Sequence, residues 1–179
     1  MPIPDWQYPE TWSVGDNLDA ETLNRRVRDQ NTILLRRPML IAHASADASQ
    51  AGGSVTMSWD TIDKDTDGMV ITDTPATTFY IQRDGTYAMF LTVTMAGNGS
   101  SCPTMLAGLN VNGSTRRWDE ISGMSSTSGQ QLIFCSQGMI FMSAGEYVQA
   151  WTYHNSASSE TIKAVNNTPR LVIMWLGAS

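Results

Sequence analysis

The sequence predicts a mainly-β protein: one β-sandwich over residues 39–179, preceded by an extended N-terminal arm and one α-helix within residues 1–38. Three observations carry this. From Met39 onward apolar residues recur at every second position, the period of a strand with one buried face. The alternating runs are short and separated by Gly, Asn and Ser clusters, as antiparallel strands stacked in two layers require. The 179 residues suffice for one substantial domain and an appendage, and fall short of two full-sized domains.

Residues 1–16 hold three of the seven prolines and two of the six tryptophans. Proline fixes its own φ and disfavours helix in the residue before it, so this stretch is expected to run extended. Trp6, Tyr8 and Trp12 are large apolar groups with no local core to enter. They either fold back onto their own domain or anchor the arm on a neighbouring protein.

Residues 20–36 predict a helix. Asp19 suits the N-cap, and Leu18 and Leu23 stand at the spacing of a hydrophobic staple. Ala20, Leu23, Val27, Gln30 and Leu34 recur at intervals of three and four, leaving Arg25, Arg26, Arg28 and Asp29 on the other face. Pro38 ends the run. A helix this short is marginal alone, so Leu23, Val27 and Leu34 call for packing against identical copies or another protein.

Residues 39–44 predict the first strand. Residues 87–95 place Tyr87, Met89, Leu91, Val93 and Met95 on one face, with Ala88, Phe90, Thr92 and Thr94 opposite. Residues 105–111 repeat the pattern through Met105, Ala107, Leu109 and Val111, and Asn112-Gly113 then supplies a hairpin turn. Residues 131–142 read as a strand bent or bulged at Gly138. Ala144-Gly145-Glu146 turns the chain into a strand over Tyr147–His154. Residues 171–176, LVIMWL, are apolar on both faces, which predicts a central, fully covered strand. Thr115–Asp119, around Trp118, reads as a loop in which that indole is either exposed or buried.

Charge is low in density and acidic in sign. Charged residues make up 16% of the chain and the net charge is −6, which argues against duplex nucleic acid or an anionic membrane as partner. Residues 1–38 hold five Arg against six acidic groups, and the remainder six basic against eleven, so the acidity belongs to the sandwich. No apolar run approaches membrane-spanning length and no basic-then-apolar leader opens the chain. Cys102 and Cys135 could pair, but two cysteines are no disulfide framework, and both are expected to be small buried apolar residues.

Two resemblances attach to particular residues. Trp59 with Ile62-Asp63, the Asp84-Gly85-Thr86-Tyr87 entry to a long strand, Asn110–Gly113, Ala144–Val148 and Leu171–Leu176 come in the order and spacing of one known fold. They make the C-terminal part resemble the trimeric jelly roll of complement-one-q heads and tumour necrosis factor. Separately, Trp12–Asp16, Leu18, Ala20, Leu23-Asn24, Val27–Asp29 and Leu34 resemble the leader of tailed-bacteriophage tail-fibre, minor tail and capsid decoration proteins. Asp19 stands where that leader more often has Thr, and both residues cap helices. The resemblances imply a homotrimer held to other virion proteins through residues 1–38, in a virion assembled in the host cytoplasm. A tail-fibre or minor tail role is expected first, and head decoration is the alternative. A host-surface glycan or receptor is a further implied partner, and a stand-alone binding module a further alternative.

The trimer surface is expected on Tyr147–His154. Alternation puts Val148, Ala150 and Thr152 on one face and Tyr147, Trp151 and Tyr153 on the other. If the small face enters the core, the aromatics form a patch too apolar for water, which self-association would cover. Trp175 is placed with them. In the reverse arrangement the aromatics are the core.

Catalytic chemistry is not predicted, and no cofactor is. Asp63, Asp65 and Asp67, ahead of Gly68, match the first half of an EF-hand loop, but position twelve is Thr74 rather than a bidentate Glu. They are a calcium candidate or a solvated acidic turn. His43 and His154 lack the spacing of a zinc site. Asn98-Gly99-Ser100 and Asn112-Gly113-Ser114 match the glycosylation sequon and read as turns.

Overall fold

The computed structural model describes residues 37–71, 74–96, 101–125, 131–164 and 169–178. The arm and the expected helix, residues 1–36, lie outside them, together with Trp6, Tyr8, Trp12, Leu23, Val27 and Leu34. The described chain forms β1 (Met39–His43), β2 (Ala48–Gln50), β3 (Gly53–Thr56), β4 (Thr61–Asp65), β5 (Phe79–Tyr80) and β6 (Gly85–Ala96). It continues with β7 (Ser101–Val111), β8 (Ser114–Ser125), β9 (Gln131–Met142), β10 (Tyr147–His154), β11 (Glu160–Ile162) and β12 (Arg170–Gly177).

The strands form two sheets, and every named pairing is antiparallel. A seven-stranded sheet runs β2-β11-β6-β12-β1-β4, with β9 on the free side of β6. A five-stranded sheet runs β3-β10-β7-β8, with β5 also on β10. The two-residue period decides which side of each faces in. On β6, Tyr87, Met89, Leu91, Val93 and Met95 are buried; on β7, Met105, Ala107, Leu109 and Val111; on β10, Val148 and Ala150. Leu40, Trp59, Phe79, Phe134, Leu171 and Ile173 belong to the same core. Each large side chain taken fully from water stabilises by about 1.5–3 kcal/mol before ordering costs, so this interior dominates the fold.

Local chemistry fixes the turns. Asn112 (φ 50°) and Gly113 (φ 76°) both take positive φ, the backbone a two-residue hairpin demands between β7 and β8. The Asn112 carboxamide accepts from the Tyr147 amide at 3.0 Å and donates to Glu146 at 2.7 Å, tying this hairpin to the start of β10. At the other end of β10, the Thr152 hydroxyl donates to the Gln50 side chain at 2.6 Å, and Gln50 donates to the Gly53 carbonyl at 2.9 Å. His154, wholly buried, is hydrogen-bonded to the Gln50 carbonyl at 3.0 Å. These buried polar groups join β2, β3 and β10.

Three readings of the chain change. Gly138 makes no bulge: β9 pairs with β6 from Gly85↔Met142 to Ala96↔Gln131 without a register shift. Gly138 and Ser136 stand opposite Met89 and Leu91, so small residues face large ones along the inner row. Thr115–Asp119 belongs to β8 rather than a loop, where pairing with β7 prevails over a charged local sequence. β12 is central, between β1 and β6, yet only one of its faces is covered. Leu171, Ile173 and Trp175 are buried while Val172, Met174 and Leu176 are half-buried.

Chain direction gives the sandwich two distinct ends. The chain enters at Arg37 and Pro38, whose carbonyls accept from Thr66 at 3.1 Å and from the Trp175 amide at 2.9 Å. The β7–β8 and β9–β10 turns lie at this same end, since Asn112 and Ala144 bond to Tyr147 and Asp84. Loops β1–β2, β3–β4 and β10–β11 lie at the other.

Candidate self-association surface

β10 orients as its alternation predicts, but does not leave a bare aromatic patch. Val148, Ala150 and Thr152 face the core, and Tyr147 and Tyr153 are half-buried on the outer side. Trp151 is only 9% exposed within its own chain. Its row in the sheet is Thr56–Trp151–Gly108, two small neighbours over which an indole can lie flat. Tyr147 is partly covered by Tyr80, their ring centroids 6.0 Å apart. Trp175 also departs from expectation. It sits in the core at 4% exposure, on the inner row of β12, and donates its indole N–H to the Asp84 carbonyl at 3.1 Å. The two tryptophans expected at the trimer surface are thus used inside the subunit.

Four of the six exposed large apolar side chains among the described residues lie on the other sheet. Side chains opposite the core rows of β6, β9, β12 and β1 include Phe90 (43% exposed), Ile133 (61%), Met139 (68%) and Phe141 (51%). Register places them in contiguous rows. One runs Gln137–Phe90–Val172–Ile41 across four strands, and the next Met139–Ala88–Met174–Met39. The signals were in the sequence: Phe90 interrupts the small row of β6, Ile133, Met139 and Phe141 share one parity on β9, and LVIMWL carries a second apolar face. Large contiguous apolar patches mark contact surfaces or aggregation liabilities.

Two edge strands of this sheet, β4 and β9, differ in the same sense. β4 presents Asp63 and Lys64 exposed and joins β1 through a register shift between Ile41 and Ala42, features that discourage pairing with another chain. β9 is a regular twelve-residue strand paired only with β6 among the described residues, and it carries Ile133, Met139 and Phe141. Cys135, expected to be buried, is exposed on this same outer row, opposite Thr92. The side chain of Cys102 lies outside the described residues.

The calcium candidate dissolves into separate local roles. Asp65 accepts backbone amides at one oxygen from Gly68 (2.8 Å) and Met69 (3.0 Å), and at the other from Val70 (2.9 Å). Asp67 is gripped by two guanidinium nitrogens of Arg83, Nε at 3.0 Å. Asp63 meets His43 Nδ1 at 3.0 Å. A cation needs these oxygens to converge. Here they point to three different partners, and the described residues contain no group of three or more His, Cys, Asp or Glu placed to hold a metal. The Asp-x-Asp-x-Asp-Gly spacing reflects a carboxylate folding its own loop, and Gly68 at φ 72° supplies the bend. No described helix is long and apolar enough to cross a membrane.

No family model matches the chain, and no curated protein matches it in sequence. Among solved structures it is similar to murine APRIL, crystallised at pH 5.0, with a TM-score of 0.58 and 12% sequence identity. That similarity covers 78% of this chain and 99% of the other. The two antiparallel sheets and this likeness give the described chain a jelly-roll β-sandwich of the tumour-necrosis-factor type.

Proposed function

We propose that this protein is a non-enzymatic structural protein that works as a homotrimer, each subunit burying the outer face of its seven-stranded sheet against its neighbours. The observation that carries the reading is the exposed cluster of Phe90 on β6 with Ile133, Met139 and Phe141 on β9, an edge strand that pairs only with β6 among the described residues. The patch divides into a protruding edge on β9 and a flatter field of Ile41, Val172 and Met174 on β1 and β12. An edge set on the neighbour's field is a head-to-tail contact, which closes only as a ring. Three is the number that jelly rolls of the resembled type use. The surface first expected on β10 is replaced by this one.

The resemblance of the leader extends the proposal to a virion appendage attached through residues 1–38, in a tail-fibre or minor tail role, with head decoration as the alternative. The entry of the chain at Arg37 supports an attached end, with loops β1–β2, β3–β4 and β10–β11 facing away from it. Those loops are where a host-surface glycan or receptor would meet the trimer, with three weak sites adding avidity.

Light scattering tests the assembly. A mass three times the 19.6 kDa of the chain is expected, and a monomeric mass at micromolar concentration refutes it. Deleting residues 1–38 tests the attachment: the jelly roll should fold and assemble yet no longer bind particles. A truncated chain that still decorates particles would contradict the role given to the arm.

A further inference from the structure

The methionines whose side chains are described fall into two groups. Met57, Met69, Met89, Met95, Met105 and Met142 are core residues at 4% exposure or less. Met139, Met174 and Met39 instead make one row across the outer face of the seven-stranded sheet. Ala88 stands between Met139 and Met174, and Met174 pairs with Met39. Met139 is 68% exposed in the single chain, and Met174 and Met39 are half-buried. A thioether is soft and apolar, suited to irregular contacts beside aromatic rings such as Phe90 and Phe141. Its sulfoxide is polar, and burying it without a hydrogen-bond donor is costly.

We propose that this row makes assembly peroxide-sensitive, because oxidation of Met139 in the unassembled chain blocks the subunit contact. The inference rests on the self-association reading given above. In the step, the thioether sulfur takes one oxygen atom from hydrogen peroxide. An S–O bond forms, the O–O bond breaks, sulfur loses two electrons, and the peroxide leaves as water. The core methionines are shielded by the fold, so the exposed sulfur of Met139 reacts before them. The assembled trimer buries that sulfur, which confines the sensitivity to chains not yet assembled.

The test treats the full chain with hydrogen peroxide at a dilution where light scattering reports monomer, then reconcentrates it. Peptide mass spectrometry should show one added oxygen on the Met139 peptide, and the association midpoint should rise at least about tenfold. Met139→Leu, of similar volume, should assemble before and after the same treatment. Met139→Gln, polar and of similar length, should weaken assembly with no oxidant. Oxidised wild type that reassembles at the untreated midpoint overturns the inference, as does a Met139→Gln chain that assembles normally. An untreated chain that is monomeric at every concentration removes the self-association reading itself, so the two failures are told apart.

Discussion

Trp175 and Gly85 are in direct steric contact: a Cβ placed on Gly85 would stand 2.2 Å from the indole nitrogen of Trp175 and 2.5 Å from the Gly177 carbonyl. The indole occupies that space because it donates to the carbonyl of Asp84, one residue earlier. Gly85 also has φ 147°, a backbone that residues with a Cβ rarely adopt. Gly85→Ala is therefore expected to destabilise by about 3 kcal/mol, through overpacking and backbone strain together. Urea unfolding monitored by tryptophan fluorescence would measure it, and a loss below about 0.5 kcal/mol would contradict the packing described.

Asp65 shapes the loop after β4 by accepting three backbone amides. Asp65→Ala leaves the amides of Gly68, Met69 and Val70 without their carboxylate acceptor and should cost about 1–3 kcal/mol. Calcium added to the wild-type protein should release no heat and leave the melting temperature unchanged. A calcium-dependent rise in melting temperature that Asp65→Ala abolishes would contradict this account.

Tyr87 links stability to alkaline pH. Burial, and then the negative charge of Asp67 nearby, raise its phenol well above the ordinary tyrosine value near 10. Its hydroxyl donates to the Arg83 carbonyl at 2.8 Å, so the fold holds the protonated form. A raised folded-state value means that this stability is fully present below the unfolded value and lost as pH rises toward the folded one. Unfolding free energy should accordingly decline above about pH 10. In Tyr87→Phe that decline should be shallower, with about 1 kcal/mol already lost at neutral pH. Equal alkaline slopes for the two proteins would remove Tyr87 as the cause.

The legible parts of the fold were the strands whose alternation is strong and whose inner face is large. β6, β7 and β10 could be read residue by residue because Tyr87, Met105 or Val148 begins an unbroken inward row. The short strands β2, β3, β4 and β11 carry sequences such as ASQ, GSVT and TIDKD, which hold too few apolar residues to show a period. They form because a partner strand is already present. β10 illustrates the remaining difficulty. Its facing was readable, yet the small neighbours that flank Trp151 in the sheet, Gly108 and Thr56, are 43 and 95 positions away in sequence. Only register across three strands reveals that setting, and likewise that Phe90, Val172 and Ile41 form one outward-facing row.

That distinction changes what Trp151→Asp should do. A carboxylate replacing an indole that is 9% exposed is buried within the subunit, so the variant should lose several kcal/mol of folding stability. Circular dichroism melting would show this whatever the association state. A Trp151→Asp chain that melts like the wild type but is monomeric would return the contact surface to β10.

The most direct measurement compares solution masses of two surface variants, Phe141→Asp on β9 and Tyr153→Asp on β10, at equal concentration. Both positions are accessible in the single chain, so each variant should fold. Light scattering should give the mass of one 19.6 kDa chain for Phe141→Asp and of three for Tyr153→Asp. A trimeric Phe141→Asp beside a monomeric Tyr153→Asp would contradict the assignment of the outer face of the seven-stranded sheet as the place where subunits meet.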